Sequence, residues 1–542
     1  MQNWKPTSQK NLSETLIGRI APMGPLFRNA GLPAYHEAML FVRMKPQPRQ
    51  PSFEATFAAA RTPLSSGLQA LCYYERAGLV KRVTPVSREA PHYANRMLVR
   101  PTRNASANPE VIGVPDSDVE GWSAPALNMN AAIDERTPGG ATSLVELAND
   151  VDLRQLQLAL AGDPTVASVS RVPLRYLVTR SPRKSAGSVS KKPSPAGRGR
   201  IAAAPPPAHT MWNLRKIKWD EARALTSFDD ASRVKVAVLD TGIDAEHPDL
   251  KDQIGGYIYE HPDLPAASSA QDLVGHGTHV AGTIAATINN DLGINGISQA
   301  RIHAWKIFDD RPDLLTYPDG TAEFAYFVDP VMYLRALLDC ADAGMDIVNL
   351  SIGGAGAPDP TESAAFEELL ANGTTVVAAM GNERREGSPI SYPAATPGVI
   401  AVGATNLQDR ITTFSNRGNH ITIAAPGEAI WSTLPTYPGQ MSWRAERGPD
   451  GRWRQGKADI RETGYDAWPG TSMASPHVAA AAALYIANGG ARDPAVIRTA
   501  LASSADKVAA MSGQDFTPDF GYGRLNLEQL IGSIATRNSD ND

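Results

Sequence analysis

The 542-residue chain predicts a doubly wound, largely parallel α/β sheet, preceded by a smaller α+β ferredoxin-like N-terminal domain. Three observations predict it. Beyond about residue 211, short apolar strands such as Val234 to Leu239 and Thr375 to Ala379 alternate with helical segments, the rhythm of a sheet covered on both faces. Ahead of residue 181 the segments follow the order β-α-β-β-α-β, the split βαβ pattern. Between the two lies a stretch from Ser181 to Pro207, rich in Ser, Pro, Gly, Lys and Arg and nearly free of large apolar residues, which reads as a linker.

In order, residues 1–35 are an N-terminal extension. Ala38 to Met44 is a strand, Phe53 to Ala77 carries apolar residues at helical spacing, and Leu79 to Val86 and Met97 to Val99 are strand-like. An inserted loop runs from about Pro101 to Leu144. Leu153, Leu156 and Leu160 then mark one helical face, and Val166 to Val178 alternates as a strand. The first domain thus spans 36–180, the linker 181–210, the larger domain 211–535 and a polar tail 536–542.

Composition excludes several function classes. Fifty-two basic against 57 acidic residues leave a net charge of -5, which argues against a polyanion binder. The linker's basic residues Arg183, Lys184, Lys191, Lys192, Arg198 and Arg200 have no aromatic residue among them, so a solvated tether is favoured over a nucleic-acid patch. Cys72 and Cys340 are far apart and build no disulfide framework or cysteine-rich zinc site. No apolar h-region follows the first charges, and the longest apolar run, Val478 to Ala487, is too short to cross a bilayer. The expectation is a cytoplasmic protein without membrane or nucleic-acid partners, with secretion left open.

In sheets of this kind, strand carboxyl ends and helix amino ends converge on one rim, where chemistry is usually placed. VKVAVLDTGIDAEHPD ends an apolar strand in Asp240 and puts a carboxylate there, or merely leaves the core through a polar turn. In GHGTHVAGTIAA two glycines flank His276 and allow close backbone packing; His276 and His279 could instead ligate a metal, but no third ligand of the usual kind accompanies them. GTSMASPHVAAAAAL sets Ser472 at the mouth of an Ala-rich helix, as an N-cap or as a nucleophile beside backbone N–H groups and the helix dipole. Ser475 lies one turn deeper, and His477 reads as a packed helix residue. TTVVAAMGNE ends a strand in Gly381 and Asn382, whose amide closes a turn or donates to an oxyanion. DIVNLSIGG has bare backbone beside which an extended peptide could add as a strand.

Jointly and in this order, these motifs resemble the subtilisin-like serine peptidases (subtilases) over about Trp212 to Leu530, with the family's sequence of Asp, His, then Ser. The resemblance implies a serine endopeptidase that hydrolyses polypeptides. Asp240 would orient the imidazole of His276, His276 would take the proton of Ser472, and Asn382 with the backbone N–H of Ser472 would form the oxyanion hole. Ser351, Gly353 and Gly354 match the segment that pairs with substrate backbone. No cofactor is required. Calcium at Asp249 and Asn290 of NNDLGING stands beside a metal-free turn as the alternative. The N-terminal domain, through LQLALAGDPTVASVSRV, looks like a propeptide of the inhibitor type and hence a partner of the larger domain, with cleavage expected within Ser181 to Thr210. A regulatory protein partner is conceivable but unidentified. Insertions near 309–329 and 435–463 depart from the family pattern. The rival functions are a non-enzymatic binding or signalling protein on the same fold, and a peptide ligase or transpeptidase.

Overall fold

The structure, a computed structural model, describes residues 34–44, 80–86, 98–100, 110–112, 142–147, 153–161, 166–177, 211–259, 269–310, 312–316 and 322–539. The helix expected over 53–77 and the linker lie outside these residues. The described chain divides into two compact units: residues up to 95 with 113–174 and 359–364, and residues 96–112, 175–358 and 365 onward.

The first unit contains strands β1 (Tyr35–Met44), β2 (Val80–Val86) and β3 (Thr142–Leu147), helix α1 (Leu153–Ala161) and strand β4 (Val166–Pro173). The sheet order is β2-β3-β1-β4 with every neighbour antiparallel, the split βαβ order expected. Leu40, Val42, Val145, Leu156, Leu160 and Val172 are buried in this unit. One assignment changes. The third strand is Thr142–Leu147, in what was expected to be the end of an inserted loop. Residues 98–100 belong instead to the second unit, where Val99 pairs with Tyr257. Three residues are too short a run to declare a partner through their own pattern, and an open sheet edge recruited them. The strand expected over 166–178 also breaks after Pro173; Tyr176 and Leu177 pair within the second unit, so the first domain ends before residue 180.

The second unit is built on β5 (Lys235–Asp240), β6 (Ile254–Ile258), α2 (His276–Ala285), β7 (Arg301–Lys306), α3 (Pro330–Asp342), β8 (Ile347–Leu350), β9 (Thr375–Ala379), β10 (Ile400–Thr405), β11 (Ile421–Pro426) and α4 (Thr471–Ala487). Its sheet runs β11-β10-β9-β8-β5-β7-β6, all parallel, with residues 98–100 and 110–112 added antiparallel at the β6 edge. From β5 the chain runs to β6, returns to β7 between the two, and then crosses to β8 on the other side of β5. The carboxyl ends of β5 and β8 therefore flank a topological switch point, the crevice where such sheets bind ligands.

Strands β8 to β11 are buried at every position, so they read as apolar runs rather than alternating ones. Helix α4 is buried from Thr471 to Ala487, and its alanines let it pass through the core alongside α2. The two expected insertions meet: Asp313–Thr316 and Ala322–Ala325 form a hairpin, Gln440–Arg447 and Trp453–Ile460 another, and residues 323–325 pair with 442–444 in one four-stranded antiparallel sheet. Among the described residues no helix is long and apolar enough to cross a membrane.

Candidate active site

Asp240 is the last residue of β5 and His276 the first of α2; both are fully buried. Their side chains meet, His276 Nδ1 lying 2.7 Å from Asp240 Oδ1. The same oxygen accepts the Thr241 N–H at 2.7 Å. Gly277 makes this approach possible, because a Cβ there would stand 2.0 Å from the Gly242 carbonyl oxygen and 3.0 Å from Asp240 Cβ. With Nδ1–H donated to the carboxylate, the other ring nitrogen, Nε2, carries the lone pair. It is buried, with no hydrogen-bond partner among the described residues. A buried lone pair left in this way is an unmet proton acceptor.

A residue absent from the sequence reading ties this pair in place. Asp272, fully buried, accepts from Gly275 N and Thr241 Oγ1 at 2.8 Å through Oδ1, and from Thr278 N at 2.9 Å and Thr278 Oγ1 at 2.7 Å through Oδ2. It thereby joins the start of α2 to the turn after Asp240. The available signal was an acidic residue four positions before His276, where a carboxylate favours a helix N-terminus.

Ser472 is the second residue of α4, in a first turn whose N–H groups have no carbonyl four residues back within the helix. It is not an N-cap. Gly470 holds that position, and the Ser472 hydroxyl donates to the Ser351 carbonyl at 3.0 Å. Pro476 explains a second tie: lacking an N–H, it cannot serve the Ser472 carbonyl, which accepts from Ser351 Oγ at 2.9 Å instead. Ser351 Oγ also meets Ser475 Oγ at 2.8 Å, which places Ser475 in a buried structural contact. Asn382 follows β9 and is 5% exposed; its Oδ1 accepts from Thr471 N and Thr471 Oγ1, each at 3.0 Å, which orients the amide with its nitrogen end turned from Thr471.

The segment expected to pair with extended backbone does so within the chain. Ile352 and Gly353 pair antiparallel with Leu177 and Tyr176, and on the other side Tyr176 bridges Phe327 while Val328 N donates to Arg175 O at 3.2 Å. Arg175, almost fully buried, anchors this segment by donating to Gly356 O at 2.7 Å. Gly354 does not join the ladder. Its N–H donates to Ser391 Oγ and its carbonyl accepts from Tyr392 N at 2.8 Å. Ser351 faces Ser472 rather than the added strand.

His279 stacks on Trp468 with ring centroids 5.2 Å apart and bonds the Ile430 carbonyl at 3.0 Å. Burial first, then the neighbouring His276, push its pKa down to about 3. His477 is packed between Asn213 Nδ2 at 3.0 Å and the Met473 carbonyl at 2.8 Å, and burial lowers its pKa to about 4. Both are core residues.

Asp249 and Asn290 do come together, but their donor set does not suit a cation. Asp249 Oδ1 accepts from Asn290 Nδ2 at 2.7 Å; Oδ2 accepts from Ile294 N at 3.0 Å and Tyr465 OH at 3.3 Å. The Asn290 oxygen is taken by Leu292 N, so the amide turns its N–H₂ to the carboxylate. Calcium wants six to eight oxygens; here three protein donors fill the carboxylate, and burial raises its pKa. Among the described residues no cluster of three or more His, Cys, Asp or Glu could hold a metal.

A doubly wound α/β unit with a buried Asp–His pair and a helix-start serine on one rim is the class that fold and site define. The chain belongs to the subtilase family, whose model matches residues 231–524. It is 34% identical over 304 residues to subtilisin E of Bacillus subtilis (strain 168), covering 55% of this chain and 65% of that relative, and equally identical to a subtilisin of Bacillus pumilus, of which the match covers 90%. The crystal structure of fervidolysin from Fervidobacterium pennivorans, described as a keratinolytic enzyme related to subtilisin, aligns with a TM-score of 0.54 at 23% identity; the alignment covers 95% of this chain and 63% of that one, and it speaks to fold. The chain thus spans slightly under two thirds of subtilisin E and of the fervidolysin structure.

Proposed function

We propose that this chain is a serine endopeptidase acting through Asp240, His276 and Ser472. The observation that carries the reading is the buried 2.7 Å contact of Asp240 with His276 Nδ1, which leaves Nε2 as a base without a partner among the described residues, on the rim that carries Ser472. The Ser472 hydroxyl donates to the Ser351 carbonyl; rotation of the side chain presents its proton to Nε2, and catalytic hydrogen bonds commonly form only with substrate bound. As Ser472 Oγ attacks the scissile carbonyl, His276 takes the proton and Asp240 stabilises the imidazolium. The developing oxyanion is received by the Ser472 N–H and the Asn382 amide. His276 returns the proton to the leaving amine, and water then resolves the acyl-enzyme by the same route in reverse.

That the substrate is a polypeptide is supported by residues 176–177, which lie as an added strand on Ile352–Gly353, one residue from Ser351. The segment follows β4 of the first unit in the chain, which supports a self-regulating role for the N-terminal domain and self-cleavage further along, within Ser181 to Thr210. Labelling with a fluorophosphonate, peptide product analysis and intact mass spectrometry of the chain and of Ser472→Ala test these statements. Labelling at Ser472, hydrolysed peptides and a Ser472-dependent mass loss are expected. An unlabelled protein would point to a binding role, and joined rather than hydrolysed peptides to a ligase. Equal full-length masses in an active preparation would remove self-cleavage alone.

A further inference from the structure

We propose that Arg461, at the root of the inserted sheet, is a positioning residue for His276, and that the inserted sheet is coupled to the reaction through it. The proposal rests on the peptidase reading above.

The strand Trp453–Ile460 ends where Arg461 turns inward, and the guanidinium is almost fully buried. Its partners are main-chain carbonyls: Nε donates to Leu273 O at 3.0 Å, Nη2 to Asp272 O at 3.2 Å, and Nη1 to Glu462 O at 3.0 Å and Pro435 O at 3.4 Å. The other arm of the insertion grips the same two residues. Gln440 N donates to Leu273 O at 3.1 Å, and Tyr437 OH accepts the Asp272 N–H at 2.7 Å with the guanidinium 5.7 Å from its ring centre. From the parallel sheet, Lys306 at the end of β7 donates to Ser269 O at 3.0 Å and Gln271 O at 2.8 Å. Two buried cations therefore hold four carbonyls of the stretch 269–273.

That stretch leads directly into α2. Held by its main chain, Asp272 spends its carboxylate on Gly275, Thr278 and Thr241, the groups on either side of the His276–Asp240 contact. Gly275, immediately before His276, has φ +89°, and a Cβ there would meet Arg461 Cδ at 2.8 Å, so the stem of Arg461 also packs on the backbone that sets the ring. Arginine suits the task because its planar fork serves several diverging acceptors at once, which a lysine ammonium cannot match. An apolar side chain would fill the volume more cheaply, since desolvating a cation is costly. What the guanidinium adds is a fixed geometry for the loop.

The test uses the full chain with Arg461→Met, Arg461→Lys and Tyr437→Phe. Active sites are counted by fluorophosphonate labelling, and kcat and KM are measured on a peptide substrate well below each melting temperature. Positional error of about 1 Å costs on the order of 10²-fold, so Arg461→Met is expected to lose about 10- to 100-fold in kcat per labelled site with KM nearly constant. Arg461→Lys should recover part of the loss, and Tyr437→Phe should show a smaller loss in kcat. If Arg461→Met does not fold, Arg461→Lys decides by the same criterion, its kcat per labelled site being compared with the wild-type chain. Wild-type kcat per labelled site with only a lowered melting temperature would overturn the proposal, as would a change confined to KM. A wild-type chain that neither labels nor cleaves would overturn the peptidase reading, and this one with it.

Discussion

Gly277→Ala probes the contact on which the proposed chemistry depends. The added Cβ would stand 2.0 Å from the Gly242 carbonyl oxygen, where Cβ atoms essentially never come within 3.0 Å, so backbone must move by about 1 Å. The obstacle is main chain and cannot rotate away. The two parts that must separate are the start of α2, carrying His276, and the turn at Gly242 that leaves β5 just after Asp240; the two side chains lie 2.7 Å apart. A displacement of about 1 Å at reacting groups costs on the order of 10²-fold in kcat, and overpacking a close contact costs about 1–3 kcal/mol of stability. Both are measured directly, by steady-state turnover of a peptide substrate and by urea unfolding. Gly532→Ala is the control, because its Cβ meets nothing within 4 Å and lies in the helix Leu527–Ser539; turnover should be unchanged and stability should rise by about 1 kcal/mol or less. Wild-type kcat in Gly277→Ala, with a stability loss under about 0.5 kcal/mol, would refute the reasoning.

Asn382→Ala removes the side-chain donor proposed for the oxyanion and should lower kcat by about 10²- to 10³-fold with KM little changed, the scale known for such a donor in subtilisin itself; a KM effect alone would reassign the residue. His477 is held neutral, its pKa lowered by burial to about 4 against about 6.5 in the unfolded chain. As pH falls below 6.5 the unfolded state binds a proton that the native state refuses, so this histidine costs about 2 kcal/mol of stability by pH 5. His477→Gln should flatten the stability profile between pH 6.5 and 4; an unchanged profile would show that His477 titrates freely. Because protein donors fill Asp249, Tyr465→Phe should cost about 1 kcal/mol of stability, equally with and without a chelator; a cost that chelation abolishes would restore a cation to that site.

Much of the site was legible because its signals are local. A strand that ends in Asp240, a histidine between two glycines and a serine opening an alanine-rich helix each announce themselves within a few residues, and the strand-end rule assembles them on one rim. Gly354 was less legible. Its neighbour Gly353 takes part in strand pairing, while the backbone of Gly354 is spent on Ser391 and Tyr392, nearly 40 residues away. Asn290 lay where expected, yet which end of its amide faces Asp249 depended on the N–H of Leu292.

The amino-acid sequence by itself determined the class of the fold, the order of its elements and the side chains at the rim, because hydrophobic period and turn chemistry act over short stretches. Only the tertiary structure decided which edges pair: residues 98–100 with β6, Thr142–Leu147 with β1 and β2, and the two insertions with each other. A strand's pattern states which face is buried but not whose backbone satisfies its N–H and C=O groups, and those partners lie more than 100 residues apart at the joined insertions. Arg461 belongs to the same category. In sequence it is one charge in a polar excursion, and only the folded chain sets it against the carbonyls that lead into His276.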